Sequence, residues 1–159
     1  MIVVIKPEEL KLDYVNFLET RQNIIMEGTF TKIIYSTDNI VMNGIYLLIP
    51  FNEYIYDKSY SRIALKNNKN NKECIDFITD YEHYILSYFK HINNCKKTQQ
   101  CLLKEQLNSF SFKIYKENNT DNTDNNYIKG DIVLKISGIW ENKTDFGLTY
   151  KILETFHVL

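Results

Sequence analysis

The chain has 159 residues, 44% of them apolar and 25% charged, with a formal net charge of −1; that length supports one buried core, and that balance excludes a wholly basic, histone-like binder. Three cysteines at irregular spacing give no disulfide framework, so reduced thiols are expected. MIVVIKPEEL is too short an apolar run for a signal peptide and no later run approaches a membrane span, so neither secretion nor membrane insertion is expected.

In chain order, Ile2 to Ile5 reads as an edge strand or a lead-in segment closed by Pro7. Over residues 8 to 22, Leu10, Tyr14, Phe17 and Leu18 fall near helical spacing and predict one or two helical turns. EGTFTKIIY and IVMNGIYLLI, joined by turn formers at Ser36 to Asn39, predict a hairpin. On its second arm Val41, Ile45, Leu47 and Ile49 share a face, with Met42, Gly44, Tyr46 and Leu48 opposite, until Pro50 ends it. A third strand is expected within residues 53 to 65, and KNNKNNK at 66 to 72 as a solvated loop.

From Lys72 to Ile92 the period changes: Cys74, Ile75, Ile78, Tyr81, Ile85, Tyr88, Phe89 and Ile92 recur every three to four residues, the stripe of one long amphipathic helix. CLLKEQL at 101 to 107 suggests a further helical turn, and Phe110, Phe112 and Ile114 alternate as a strand does. ENNTDNTDNN at 117 to 126 has no apolar anchor and is expected to be a disordered insertion. Two strands close the chain, KGDIVLKISGIW at 129 to 140 and FGLTYKILETF at 146 to 156, across the turn ENKTD. One face of this hairpin should carry Ile132, Leu134, Ile136 and Trp140 with Leu148, Tyr150, Ile152 and Phe156.

Three strands, a helix and three returning strands make a mainly β chain with one long helix (α+β). The expectation is a single domain over residues 1 to 159 with flexible loops near 66 to 72 and 117 to 127. A meander, a plugging helix and returning strands follow the order of an OB-fold-like barrel; a generic α+β sandwich is the alternative.

Twelve Tyr and nine Phe against five Gly and two Pro are more rings than one core absorbs. On the predicted strands they interleave with cations, a pattern suited to stacking unpaired bases while lysines follow the phosphates. The candidate nucleic-acid-binding set is Lys32, Tyr35, Tyr54, Tyr56, Tyr60, Arg62, Lys66, Lys113, Lys135, Trp140, Tyr150 and Lys151, with Tyr46 and Lys58 nearby in the pattern. The hairpin's alternation also points Trp140 and Tyr150 toward the core and puts Lys135 and Lys151 on the opposite face, so two orientations stay open for the rings. Cys74, His83, His91, Cys95 and Cys101 lack the paired spacing of a zinc site, and no metal or cofactor is expected. Glu8, Glu9, Asp76, Asp80 and Glu82 read as solvated acids, and no nucleophile triad or phosphate loop stands out, so a non-catalytic protein is expected. A Tyr-rich surface that forms an oligomer or docks a partner is the alternative use of the rings.

ISGIWENKTDFGLTYKI at 136 to 152, with QLNSFSFKIY at 106 to 115, resembles a family of single-stranded-DNA-binding proteins of large double-stranded DNA viruses, related in fold to phage single-strand-binding proteins. The likeness covers about a fifth of the chain. It implies an OB-type barrel that coats unwound DNA during viral replication or recombination in the host cytoplasm or nucleus. It also implies contacts with replication proteins and a homo-oligomer. Carried to this sequence, it gives stacking and phosphate contacts to Trp140, Phe146, Tyr150, Lys135 and Lys151. Phage relatives end in an acidic tail, whereas this sequence closes on ETFHVL with one acid, so the tail's role is not carried over.

Overall fold

A computed structural model describes residues 3 to 116 and 130 to 155 of the chain. Those residues are mainly β with two helices, and the principal sheet curls into a half-barrel. After 3-10 turns at Pro7–Glu9 and Leu12–Tyr14, β1 (Val15–Phe17) and β2 (Arg21–Gln22) run in succession along one edge of β3 (Thr29–Ser36). Of the one or two helical turns expected over residues 8 to 22, the structure has two 3-10 turns and no α-helix. The 3-10 turns account for the near-helical spacing at the start of that stretch, and beyond them Val15 and Phe17 alternate toward the core, which an edge strand satisfies and a helix does not. Ile5 bridges in parallel to Leu47, making the N-terminal residues a lead-in segment.

β3 turns into β4 (Val41–Met42), but their hairpin stops after two pairs, Tyr35 with Met42 and Ser36 with Val41. Gly44, at φ +104°, redirects the chain into β5 (Ile45–Ile49); a Cβ there would stand 2.8 Å from the Ile136 carbonyl oxygen. The break also shifts the alternation. Met42 is buried and Val41 exposed, so Val41 does not share the inward face of Ile45, Leu47 and Ile49 as expected.

The expected third strand is a hairpin, β6 (Tyr54–Asp57) with β7 (Arg62–Leu65). Next, α1 (Lys69–Ile92) starts inside the stretch expected to be a solvated loop. Asn68 caps it by accepting the Asn71 N–H at 2.9 Å. Asn71 is fully buried; its side chain accepts the Asn52 N–H and donates to the carbonyls of Asn52 and Lys66. The run is asparagine-rich because it anchors and caps, not because it is solvated. The α1 stripe of Ile75, Ile78, Ile85, Leu86 and Phe89 joins the single buried cluster, where Phe89 meets Phe146 at 5.8 Å between ring centroids.

Beyond α1 come β8 (Thr98–Gln100), α2 (Leu102–Asn108), β9 (Ser111–Lys113) and β10 (Tyr115–Lys116). The α2 helix is the further helical turn expected at 101 to 107, and it makes two helices where the expected fold class had one. Its first turn is held on α1 by Glu82, whose buried carboxylate accepts the N–H groups of Leu103 at 3.0 Å and Lys104 at 2.8 Å. Glu82 is therefore not one of the solvated acids. The insertion expected at 117 to 127 and Phe156 lie outside the described residues.

β11 (Asp131–Glu141) and β12 (Asp145–Thr155) form the closing hairpin with the expected bounds to within a residue or two. Along its other edge β11 pairs first with β5, over Ile132 to Ile136, and then with β3, over Gly138 to Glu141. β12 takes β8 and β10 in parallel on its far edge, and β9 joins β6 and β7 in a separate three-stranded sheet.

Candidate nucleic-acid interface

The register of the principal sheet separates two faces. Ile132, Leu134 and Ile136 point into the core under α1, together with Leu148 and Ile152 of β12. A bulge at Ser137, where Ile136 pairs with Tyr150 but Gly138 with Thr149, then shifts the parity of β11. Ile139 inherits the buried face and Trp140 turns to the opposite, outer face. This corrects the expectation that Trp140 shares the side of Ile136. A period-two reading cannot see an inserted residue.

On that outer face Trp140 is directly opposite Gly147 and beside Phe30 of β3. Both rings lie over glycines: a Cβ on Gly147 would be 2.8 Å from the Trp140 ring, and one on Gly138 would be 2.5 Å from the Phe30 ring. With no side chain beneath them the two rings rest against backbone, partly exposed, as a platform on the sheet. Toward the other end, Lys135 and Lys151 are cross-strand partners. Like charges directly opposite cost stability. Among the described residues neither lysine has a carboxylate partner; each instead sits against a tyrosine, Lys135 Nζ 5.4 Å from the Tyr46 ring centroid and Lys151 Nζ 5.3 Å from that of Tyr115. Lys113 reaches the same Tyr115 ring at 4.8 Å.

Register places Lys32 beside Gly138 and Arg21 beside Phe30 on this outer face. Between Asp131 at one end of the hairpin and Asp145 at the other, its outward positions carry no acid. Hydrogen bonds from Thr144 and Gln100, the latter at 2.8 Å, hold the Asp145 carboxyl below the usual carboxylate range and occupy it at the turn. From Lys135 and Lys151 to Trp140 the outer face thus carries rings and cations, while Val133 and Thr155 toward its other end are buried.

The predicted site residues divide across the molecule. Lys32, Lys135, Trp140 and Lys151 lie on the outer face, and Lys113 adjoins it. Tyr35 is buried on the inner face, edge-on to Tyr14, with its hydroxyl accepting the Lys11 N–H at 3.1 Å. Tyr150 also faces inward, packed against the core, and donates its O–H to Gln106 Oε1 on α2 at 2.6 Å. Tyr54 and Tyr56 alternate with exposed residues on β6 and pack against the core, so the Tyr-rich surface loses both rings. Tyr60 is exposed on the β6–β7 turn, away from the principal sheet's strands. Arg62 donates to the Ser111 carbonyl at 2.8 Å, and Lys66 is ion-paired to Glu53. Phe146, expected as a stacking ring, is fully buried against Phe89. The reading of the candidate set omitted Phe30, Tyr115 and Arg21; glycines opposite aromatic positions of neighbouring strands are the signal that would have found the first.

Neither a family model, nor a curated protein, nor a solved structure matches this chain. The outer face therefore rests on its own geometry. Among the described residues no group of three or more His, Cys, Asp or Glu could hold a metal ion. Cys74, Cys95 and Cys101 are separate, partly exposed free thiols, and His83 contacts Ser87, Gln99 and the Tyr84 ring. No described helix is long and apolar enough to cross a membrane.

The two inward tyrosines have a measurable signature. Burial first, then the charges of Glu154 and Asp131, push Tyr54 up to about 12, and burial followed by Glu82 and Glu105 pushes Tyr150 up to about 12. Both phenols should ionise near pH 12 in an ultraviolet titration, and Tyr54→Phe with Tyr150→Phe should remove that component. A folded-state value above the unfolded 10 means that the stability from the neutral phenols is complete below pH 10. It is lost as pH rises from 10 through about 12.

Proposed function

We propose that the outer face of the curled sheet binds single-stranded nucleic acid without catalysis, DNA favoured on the resemblance of the closing hairpin, in viral DNA replication or recombination. In this reading the half-barrel is an OB-type barrel and the β11–β12 hairpin one wall of its groove. The observation that carries the proposal is the pairing of Lys135 opposite Lys151, without a described carboxylate partner, on the same face as the Phe30–Trp140 platform and between the terminal Asp131 and Asp145. Two like charges held opposite each other oppose folding, and a phosphate backbone laid between them removes that opposition. Unpaired bases stack on exposed rings at roughly 1–3 kcal/mol each and need no base-edge readout to do so.

Trp140 is the only tryptophan, so its fluorescence reports this face alone. Oligo-dT should quench it with an affinity that falls as salt rises. If Arg21, Lys32, Lys135 and Lys151 each meet one phosphate, log K against log salt should have a slope of roughly −3, because each single-strand contact contributes about −0.7. Absence of both quenching and binding at low salt would overturn the proposal.

A further inference from the structure

The two most exposed large apolar side chains of the described structure are in the turn between β2 and β3, Ile24 at 97% and Ile25 at 90%, with Met26 beside them at 52%. This turn is built, not loose. The Asn23 side-chain oxygen accepts the N–H groups of Ile25 at 3.0 Å and Met26 at 3.4 Å, the Asn23 N–H donates to the Gly28 carbonyl at 2.9 Å, and Glu27 pairs with Lys143 at 3.5 Å. A polar frame holds the backbone while three apolar side chains project together, and contiguous exposed apolar surface of that kind marks an interaction site.

A cavity of about 280 Å³ lies between the Pro7–Glu9 turn, the end of β5 and the first turns of α1. Pro7, Ile49, Pro50, Cys74 and Phe77 make its wall, and two carboxylates, Glu8 and Glu73, stand at it. An apolar cavity of about 150 Å³ takes a benzene ring, so this one has room for branched aliphatic side chains. The projecting turn is flanked by Arg21 on β2 and by Lys143. Lys143 pairs with Glu27 of the turn, and Glu73 with Lys69 at 3.7 Å. That leaves Arg21 beside the knob and Glu8 beside the hole, so the two surfaces are complementary in net charge as well as in polarity.

We propose that Ile24 and Ile25 of one copy seat in the Ile49–Pro50–Cys74–Phe77 cavity of a second copy, with Arg21 facing Glu8. The contact joins two different patches, so it closes as a reciprocal dimer or runs on as a chain according to the angle it sets. It needs no nucleic acid, and it puts self-association on this turn and not on the β6 tyrosines.

Sedimentation velocity without nucleic acid tests it. The wild-type mass should rise with concentration, and Ile24→Asp with Ile25→Asp should weaken association at least tenfold; both residues are almost wholly exposed, so the fold is not at issue. Cys74→Trp, which fills the cavity, should do the same. Glu8→Lys with Glu73→Lys serves as the second cavity variant if the tryptophan perturbs α1. Mixing the knob variant with a cavity variant should restore a complex that stops at two chains, since one partner keeps the cavity and the other the knob. A wild-type chain that stays monomeric to about 0.1 mM overturns the proposal, as does association untouched by the knob variant, or a mixture that remains monomeric. Loss of vesicle binding in place of loss of mass would also overturn it, assigning the turn to a lipid surface.

Discussion

Replacing Phe30 and Trp140 together with alanine is expected to weaken binding of a labelled oligo-dT strand by at least roughly thirtyfold, and up to about ten-thousandfold, in fluorescence anisotropy. Two stacked bases at about 1–3 kcal/mol each set that scale. The platform rings pack over Gly138 and Gly147 on a partly exposed face, so their loss should cost less stability than loss of a core ring. The lysine pair separates the face from the core more sharply. Lys135→Ala with Lys151→Ala removes two cations that face each other across the hairpin, so it should bind more weakly and flatten the salt slope by about 1.4. The same variant should be as stable as the wild type or slightly more so, because the cross-strand repulsion is gone. A decline in binding without a decline in stability is what a surface kept for a ligand predicts. By contrast, Tyr54→Ala with Tyr56→Ala should destabilise the chain and leave the affinity of the folded fraction unchanged, since both rings pack against the core. Unchanged affinity in the Phe30–Trp140 variant would remove the outer face from consideration.

The closing hairpin was legible in the sequence because β-branched residues alternate over both long arms and the turn residues lie between them. The α1 stripe was legible for the corresponding reason, a change of period from two to about three and a half. What escaped were single-residue events. The Ser137 bulge reverses which side Trp140 faces, and Gly44 reverses the alternation between Val41 and Ile45; neither changes composition or apolar count. Short edge strands escaped too. β1, β2 and β8 are two or three residues long and exist because β3 and β12 offer unpaired edges, information that lies in the partner and not in the segment. For the site, cations on β3, β11 and β12 were found by alternation, whereas Tyr35, Tyr54, Tyr56 and Tyr150 were included because a tyrosine satisfies a core and a binding face equally well in composition. Sequence carried no sign of Glu82's role either, since an acid on a predicted helix is indistinguishable from a solvated one until a second helix arrives on top of it.

Glu82→Ala is expected to be the most damaging single change in the helical layer, costing about 3–4 kcal/mol and roughly 10 °C in Tm. The carboxylate is fully buried and accepts two N–H groups of the first turn of α2, which lack partners within that helix. Truncation leaves those donors buried and unsatisfied and opens a void beneath α2, whose remaining polar tie to the sheet named above is the Gln106–Tyr150 hydrogen bond. Glu82→Gln keeps the volume and one acceptor but turns an NH2 group toward a donor, so about half the loss is expected. The acid also fixes a pH dependence. Burial raises its carboxyl above the ordinary 4.5, and the hydrogen bonds from Lys104 and Leu103 only partly oppose that shift. The folded state therefore holds this proton to higher pH than the unfolded chain does. Its contribution to stability is complete below 4.5 and declines as pH rises above that value toward the raised folded-state one. Urea midpoints measured at closely spaced pH above 4.5 should show that downward component in the wild type and lose it in Glu82→Gln. An identical pH profile in the two proteins would mean that the carboxyl titrates as it does in solvent, and that α2 is held by its apolar face of Leu103 and Leu107 alone.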